Sequence, residues 1–149
     1  MRIGLADTTF SRVNMAEHAL AIFKGKTVER YTVPGFKDLP AACKRLLTEF
    51  HCDIVLALAW VGKEDIDETC AHEANQGLIL TEVLTGKHII KCFVHEREAL
   101  DDPKKLKAIA LDRAKKHAEN VLALMKGKET LTPFAGKGLR QGSVDAGGL

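Results

Sequence analysis

The chain has 149 residues, a formal net charge of +2 and 28% charged residues, which predicts a single domain, residues 1–149, that can bury a core. With no basic stripe, one Trp and one Tyr, the composition argues against nucleic acid as a partner. No apolar run approaches a membrane span, and the N-terminal residues predict a strand rather than a signal peptide. We therefore expect a cytoplasmic protein with no membrane partner.

The four cysteines lie in or beside predicted helices and strands, and none forms a C-x-x-C pair. Such cysteines are more often buried thiols than disulfides or zinc ligands. Reduced thiols are therefore expected at Cys43, Cys52, Cys70 and Cys92.

The first half of the chain predicts two strand–helix units. Residues 2–7 form a strand, and Asn14, with Glu17 three residues later, predicts the N-cap of a helix that ends at Gly25. A second strand at 27–33 leads through a Pro-Gly turn to Asp38, the predicted N-cap of the next helix. A strand end beside a helix N-terminus is a place where ligands bind in open α/β sheets.

The second half predicts two more units. Residues 53–60 are almost wholly apolar, which is typical of a central parallel strand covered on both faces. A helix ending at Gly86, a strand at 88–94 and a long helix at 103–125 follow. The βαβαβαβα order predicts a flavodoxin-like, three-layer α/β/α fold with a four-stranded parallel sheet.

Residues 127–149 differ in composition from the rest, since they hold six of the twelve glycines. Two interpretations of this tail stay open. The segment is either disordered, or it is a loop that closes over a site and directs Lys137 and Arg140 at ligand oxygens.

The common catalytic and phosphate-binding motifs are absent. There is no Walker A or dinucleotide fingerprint, no nucleophile elbow, and Gln76 leaves an H-E-x-x-H motif incomplete, so we assign no metal ligands. The acids Glu64, Asp65, Asp67 and Glu68 could hold Mg²⁺, although acids at a helix N-terminus are favoured by the helix dipole alone.

The strand ends supply the strongest indication of a site. Phe10, the turn at 35–38, the segment at 60–62 and the pair His95-Glu96 each follow a predicted strand. Because parallel strands end at the same edge of a sheet, these residues should share one cleft. An aromatic ring, a carboxylate, free amides and a histidine suit a flat polar heterocycle.

The segment VPGFKDLPAACKRL resembles the VPGAxELPxAxxxL segment of lumazine synthases, and CDIVLALAWVG, HEANQGL and LDRAKKHAEN extend this similarity over residues 1–125. The segments ADTTFSRVNMA, CAHEA, KHIIKCFVHE, RAKKHAENV and AGKGLRQG more specifically resemble the archaeal-type riboflavin synthases, over the full length.

The departures from lumazine synthase concern its phosphate pocket. The loop after the third strand carries Lys63 and several carboxylates instead of the family's Gly-x-Thr and histidine, and a late-helix lysine is replaced by Val121, although Arg113 remains. This favours a substrate without phosphate, such as 6,7-dimethyl-8-ribityllumazine.

The resemblance implies a riboflavin synthase that converts two molecules of 6,7-dimethyl-8-ribityllumazine into riboflavin and 5-amino-6-(D-ribitylamino)uracil by four-carbon transfer. It also implies a homopentamer with sites at subunit interfaces, no redox cofactor, and Mg²⁺ as a candidate cofactor. The alternatives are lumazine synthase activity and a non-catalytic flavin or lumazine carrier.

The same resemblance suggests residue roles. His95 is the predicted group for proton transfer, oriented by Glu96. Thr9, Phe10 and Trp60 are predicted to bind substrate, with the two aromatic rings lying flat against the substrate rings. Gly35, Phe36 and Asp38 are predicted to lie near the pyrimidine and ribityl groups. Arg113 and His117 are expected to reach the site of a neighbouring subunit, and Lys137 and Arg140 to close the pocket.

Overall fold

The computed structural model describes residues 1–149 and shows strands and helices alternating along the chain. The strands are β1 (Arg2–Thr8), β2 (Thr27–Val33), β3 (Ile54–Val61) and β4 (Ile89–His95). The helices are α1 (Met15–Ile22), α2 (Leu39–Thr48), α3 (Asp65–Thr85) and α4 (Pro103–Lys126). Short 3-10 turns lie at Phe36–Asp38, Glu96–Ala99 and Thr132–Phe134. The predicted order of elements is confirmed.

The four strands form one parallel sheet in the order β2-β1-β3-β4. The chain therefore moves outward from β1 to β2 in one direction and from β1 through β3 to β4 in the other. Ligands of such sheets bind beyond the carboxyl ends of the strands, near the point where the order reverses. Here that point lies between β1 and β3, and β2 and β4 are the edge strands.

Helices cover both faces of the sheet, which confirms the three-layer α/β/α fold. Alternate residues of β3 point to opposite faces, and every residue of this strand is buried. Leu56, Leu58 and Trp60 belong to the core under α1 and α4, whereas Val55 and Val61 belong to the core under α2 and α3. Burial on both sides explains why the strand is continuously apolar.

Asn14 and Asp38 occupy the predicted N-cap positions of α1 and α2, but neither side chain caps its helix. The Asn14 side chain donates to Glu17 Oε1 at 2.7 Å and caps no backbone group. Asp38 already has helical dihedrals, because a 3-10 turn precedes α2, and its Oδ2 accepts from the backbone N–H of Gly35 at 3.2 Å. The start of α2 instead relies on Pro40, which occupies its first turn.

The C-terminal tail folds back along α4. Two hydrogen bonds close a loop within the tail: the N–H of Ala146 donates to the carbonyl of Gly138 at 2.8 Å, and the N–H of Arg140 donates to Asp145 Oδ1 at 2.9 Å. None of the helices combines the length and the apolar character that spanning a bilayer requires.

Candidate functional site

Hydrogen bonds connect the loop after β1 to the turn after β2. The N–H of Thr9 donates to the carbonyl of Val33 at 2.9 Å, and the N–H of Phe10 and the hydroxyl of Thr9 both donate to the carbonyl of Pro34 at 3.2 Å. These bonds hold the Phe10 ring at the sheet edge, where 49% of the residue is exposed. Phe10 is therefore available to stack on a flat ligand.

The turn at residues 35–38 presents groups that already bind each other. The Gly35 amide, predicted to bind a pyrimidine oxygen, donates to the carboxylate of Asp38, predicted to bind a ribityl hydroxyl. A ligand would have to replace this hydrogen bond to use either group. Phe36 is buried against Phe93, with ring centroids 6.4 Å apart, so it supports the turn from below.

Trp60 does not lie at the surface as an aromatic plate. Its side chain points to the α1/α4 side of the sheet, and only 1% of the residue is exposed. The indole N–H donates to Glu96 Oε1 at 2.8 Å, and the same oxygen accepts from Arg12 at 3.1 Å. Trp60 does not offer its ring to a substrate as predicted, because side chains along β3 alternate between the two faces of the sheet and this one points into the core.

His95 pairs with Glu68 rather than with Glu96. Its Nδ1 lies 3.0 and 2.9 Å from the two carboxylate oxygens of Glu68, at the start of α3. Consecutive residues at a strand end point to opposite faces, so Glu96 binds Trp60 on the other side of the sheet. A carboxylate only accepts hydrogen bonds, so Nδ1 carries the proton and Nε2 is left as an acceptor.

A polar cavity of about 340 Å³ lies beside the edge strand β4, between α3, α4 and the tail. We call it the β4-edge cavity. Its lining residues are Asn75, Lys91, Phe93, His95, Glu98, Arg113, His117, Gln141 and Ser143. It brings together three predicted site residues, one from β4 and two from α4.

Arg113 is held firmly at this cavity. Its guanidinium donates to the Phe93 carbonyl at 2.8 Å and to both oxygens of Glu98 at 2.7 and 2.5 Å. The hydrogen bonds with Glu98 raise the pKa of Arg113. Burial is the largest single influence on Glu98 and opposes its ionisation, but the hydrogen bonds from Arg113 and from the His95 N–H, together with the charge of Arg113, lower the pKa of this carboxyl. Both groups are therefore charged, and each satisfies the other.

His117 is the most buried polar residue of the cavity, with 4% exposed. Its Nδ1 lies 2.8 Å from the carbonyl of Arg113 and must donate to it, since a carbonyl only accepts. Burial lowers the pKa of His117 below 6.5. The imidazole is therefore neutral at pH 7, with Nε2 as an acceptor.

At the β4-edge cavity, the cations Lys91 and Arg113 and the imidazole of His95 each have a carboxylate partner. Lys91 Nζ lies 2.5 Å from Glu82 Oε2, His95 pairs with Glu68 and Arg113 pairs with Glu98. The carboxylates compensate the positive charge, so the cavity is suited to neutral polar groups and poorly suited to phosphate.

The acids considered for Mg²⁺ do not converge. Asp67 accepts from the N–H of Glu64 at 3.0 Å, Asp65 pairs with Arg97 at 2.5 Å, and Glu68 faces His95. The structure contains no group of three or more His, Cys, Asp or Glu side chains placed to hold a metal ion. These residues do not fit a metal site.

The tail residues predicted to close the pocket lie elsewhere. Lys137 Nζ sits 5.5 Å from the centroid of the Phe134 ring, and Arg140 lies beside a different cavity formed by the tail and α4. Gln141 and Ser143 line the β4-edge cavity instead.

Comparison with known proteins identifies the family. The family model described as 6,7-dimethyl-8-ribityllumazine synthase matches residues 1–129. The chain belongs to this family. Within the lumazine synthase family it is similar to a protein named riboflavin synthase from Methanothermobacter thermautotrophicus, at 46% identity over 100% of this chain and 99% of the relative.

Two further relatives, also named riboflavin synthase, show the same similarity. That from Aeropyrum pernix is 50% identical over 97% of this chain and 96% of its own. That from Archaeoglobus fulgidus is 44% identical over 99% of this chain and 97% of its own. The family predicted from the sequence motifs is confirmed.

Residue-by-residue sequence reasoning misses the roles of Glu68 and Glu98. It considers Glu68 only for Mg²⁺ and does not consider Glu98 at all. The partner of His95 could have been sought on α3, where Glu68 lies, because side chains along β4 alternate between the two faces of the sheet and His95 points towards α3. Glu98 gives a weaker signal, three residues after His95, where it accepts from the His95 N–H at 3.0 Å.

Proposed function

We propose that the chain is a riboflavin synthase. Two molecules of 6,7-dimethyl-8-ribityllumazine exchange a four-carbon unit and yield riboflavin and 5-amino-6-(D-ribitylamino)uracil. The two products together contain all the atoms of the two substrates, so the reaction needs no oxidant and no redox cofactor. The full-length similarity to proteins named riboflavin synthase supports this reaction.

The charge compensation of the β4-edge cavity is the observation that favours this reaction over lumazine synthesis. Lumazine synthase must hold a four-carbon phosphate, and free cationic groups serve that purpose. Here Arg113 is already bound by both oxygens of Glu98. A phosphate would have to displace Glu98 and would meet its negative charge. Lumazine is neutral and lacks phosphate, so it avoids this penalty.

His95 is the proposed proton acceptor. The methyl group at position seven of the lumazine ring is acidic for a C–H group, because the ring delocalises the negative charge that deprotonation leaves. Nε2 of His95 accepts this proton, and the Glu68 carboxylate stabilises the imidazolium that results. Neutral His117 provides a second acceptor in the same cavity.

Alignment of the two substrates is a second contribution to lowering the activation barrier. Holding two flat molecules in the reactive orientation contributes several kcal/mol, up to roughly 7–11 kcal/mol in the best intramolecular cases. The exposed Phe10 ring provides a stacking surface for one of them.

We propose that the complete site lies between subunits of a pentamer. The loop with Phe10 lies at the end of β1, whereas the cavity lies at the outer edge of β4, two strands and therefore at least about 10 Å away at the usual strand spacing. An exposed apolar stripe on α3 supports association between copies. It consists of Ile79, Leu80, Val83 and Leu84.

The pentamer is tested by measuring mass in solution. Val83→Glu should dissociate the assembly, because it places a charge in the stripe. Leu149→Glu makes the same kind of change at the exposed C-terminus and should leave the mass unaltered. A monomeric wild-type chain would overturn this part of the proposal.

We also propose a cytoplasmic location and a divalent cation as a candidate cofactor. All four cysteines are free, which suits a reducing compartment. Mg²⁺ rests on the resemblance alone, since the acidic residues do not fit a metal site. Chelation that leaves turnover intact would remove Mg²⁺ from the account.

Substrate choice distinguishes the proposed reaction from its alternatives. A riboflavin synthase forms riboflavin from lumazine alone. A lumazine synthase instead forms lumazine from the pyrimidine and the four-carbon phosphate. A carrier binds lumazine or riboflavin stoichiometrically without turnover. Product formation only in the second assay, or in neither, would overturn the proposal.

A further inference from the structure

A loop of the tail lies on the guanidinium that forms one wall of the β4-edge cavity. Hydrogen bonds between Ala146 and Gly138 and between Arg140 and Asp145 close this loop. At its tip the carbonyl of Gly142 accepts from Arg113 at 3.3 Å. Since Arg113 is fixed by Glu98, the tip meets a rigid partner.

Gly142 is the residue that permits this contact. Its φ of +73° lies in the left-handed region, which other residues rarely adopt. A Cβ at this position would lie 2.5 Å from Cγ and 2.9 Å from Nε of Arg113. The backbone therefore approaches Arg113 as closely as only glycine allows.

The close approach places the two neighbours of Gly142 in the wall of the cavity. Gln141 and Ser143 both line it, and no hydrogen bond within the protein engages either side chain. An amide and a hydroxyl each offer a donor and an acceptor without charge. Those groups match a chain of hydroxyls, which also donates and accepts at each carbon.

We propose that Gln141 and Ser143 bind the hydroxyl groups of the neutral polyol chain of one of the two substrate molecules, with Gly142 holding them in place, whereas Asp38 is the residue predicted for the polyol chain of the other. This inference rests on the proposed function, because it assigns a part of the same substrate to the β4-edge cavity. Because the cations Lys91 and Arg113 of that cavity are already paired with carboxylates, neutral hydrogen bonding is left as the means of recognition. The tail is then part of the binding site.

The first test compares two glycines of the tail. Gly136 has a φ of +80°, close to that of Gly142, but a Cβ there would meet nothing within 4 Å. Gly136→Ala therefore carries a similar backbone strain without a clash. We expect Gly142→Ala to raise the KM for 6,7-dimethyl-8-ribityllumazine roughly three- to tenfold with kcat within about twofold, as lost neutral hydrogen bonds would. Gly136→Ala should keep the wild-type KM.

The second test removes the two side chains and varies the ligand. The double variant Gln141→Ala/Ser143→Ala should weaken binding of the ribityl substrate by a similar factor. Val144→Ala, an exposed residue that does not line the cavity, is the control. Binding of 6,7,8-trimethyllumazine, in which a methyl group replaces the polyol chain, should be the same for the wild type and the double variant. Fluorescence titration measures both ligands.

The outcomes separate this inference from the proposed reaction. A wild-type chain that forms riboflavin while the double variant keeps its KM would overturn the inference and leave the reaction standing. Equal weakening for both ligands, or a loss confined to kcat, would also contradict polyol binding. A wild-type chain that binds the ribityl ligand with the predicted dependence, yet forms no riboflavin, would overturn the reaction alone.

Discussion

Nδ1 of His95 lies 3.0 and 2.9 Å from the two carboxylate oxygens of Glu68. The pair joins the end of β4 to the first turn of α3 and fixes the orientation of the imidazole. Because Glu68 occupies Nδ1, the remaining nitrogen Nε2 is the one that can accept a proton from a ligand. Glu68 is thus a positioning residue for His95.

Replacing His95 by Ala should lower kcat by roughly a hundredfold, a usual contribution of a general base, with a smaller effect on substrate binding. Glu68→Gln should lower kcat by about tenfold. Steady-state kinetics with 6,7-dimethyl-8-ribityllumazine measure both. A His95→Ala variant with full turnover would show that another group accepts the proton.

The double variant distinguishes positioning from a separate role of Glu68. If Glu68 acts only through His95, Glu68→Gln should have almost no further effect in the His95→Ala background. Glu73→Gln removes the same charge further along α3, where Glu73 forms an exposed ion pair with Lys37, and should leave kcat unaltered. Additive losses would contradict the positioning role.

Glu98→Gln should make the β4-edge cavity attractive to phosphate. The change removes the negative charge that compensates Arg113. The inhibition constant for inorganic phosphate should therefore be roughly tenfold lower than that of the wild type, because phosphate gains about one charge-assisted hydrogen bond to Arg113. Inhibition constants measured at fixed ionic strength report the change.

The matched control is Glu119→Gln, which alters the net charge equally on α4 beside a different cavity. Its phosphate inhibition should equal that of the wild type. Strong phosphate inhibition of the wild type itself would contradict charge compensation of the β4-edge cavity.

Glu96 is expected to stabilise the fold rather than to catalyse the reaction. Glu96→Ala leaves the buried indole N–H of Trp60 without an acceptor, which should lower the free energy of unfolding by about 1–3 kcal/mol. Glu96→Gln retains an acceptor and should keep most of this stability and the wild-type kcat. Urea denaturation and turnover are measured side by side. A folded Glu96→Gln variant without turnover would restore the catalytic role predicted from the sequence.

Acid should weaken the fold through His117. Its folded-state pKa is below 6.5 because of burial, so the unfolded chain binds the proton first as the pH falls. Stability from this group is complete above pH 6.5 and is lost progressively below it. The urea midpoint of the wild type should therefore fall more between pH 7.5 and pH 5.5 than that of His117→Gln. The exposed His18 provides the control variant, His18→Gln, which should follow the wild type.

The fold could be predicted from the sequence because its signals are local. The apolar run of β3 and the helical repeats depend on residues close in the chain. The parallel orientation of the strands follows from the alternation of strands and helices along the chain. The N-cap positions Asn14 and Asp38 were predicted correctly, but their side chains bind nearby groups rather than the first N–H groups of their helices.

The site could be predicted only in part. The carboxyl ends of the strands predict a site at one edge of the sheet, but the partners of each side chain depend on which face of the sheet it enters. Trp60 is buried, and Glu68 binds His95 from a separate helix, so neither relation follows from motif spacing. The hydrogen bond between Gly142 and Arg113 depends on how the tail folds back, for which composition alone allowed two interpretations.

The stoichiometry of the products is the most direct test of the proposed riboflavin synthase reaction. The purified protein is given 6,7-dimethyl-8-ribityllumazine as the sole substrate, without oxidant, and lumazine, riboflavin and 5-amino-6-(D-ribitylamino)uracil are quantified over time. Two molecules of lumazine should disappear for each riboflavin and each uracil formed, and faster than without protein. Riboflavin formation no faster than the uncatalysed rate, or a different ratio, would contradict the proposed reaction.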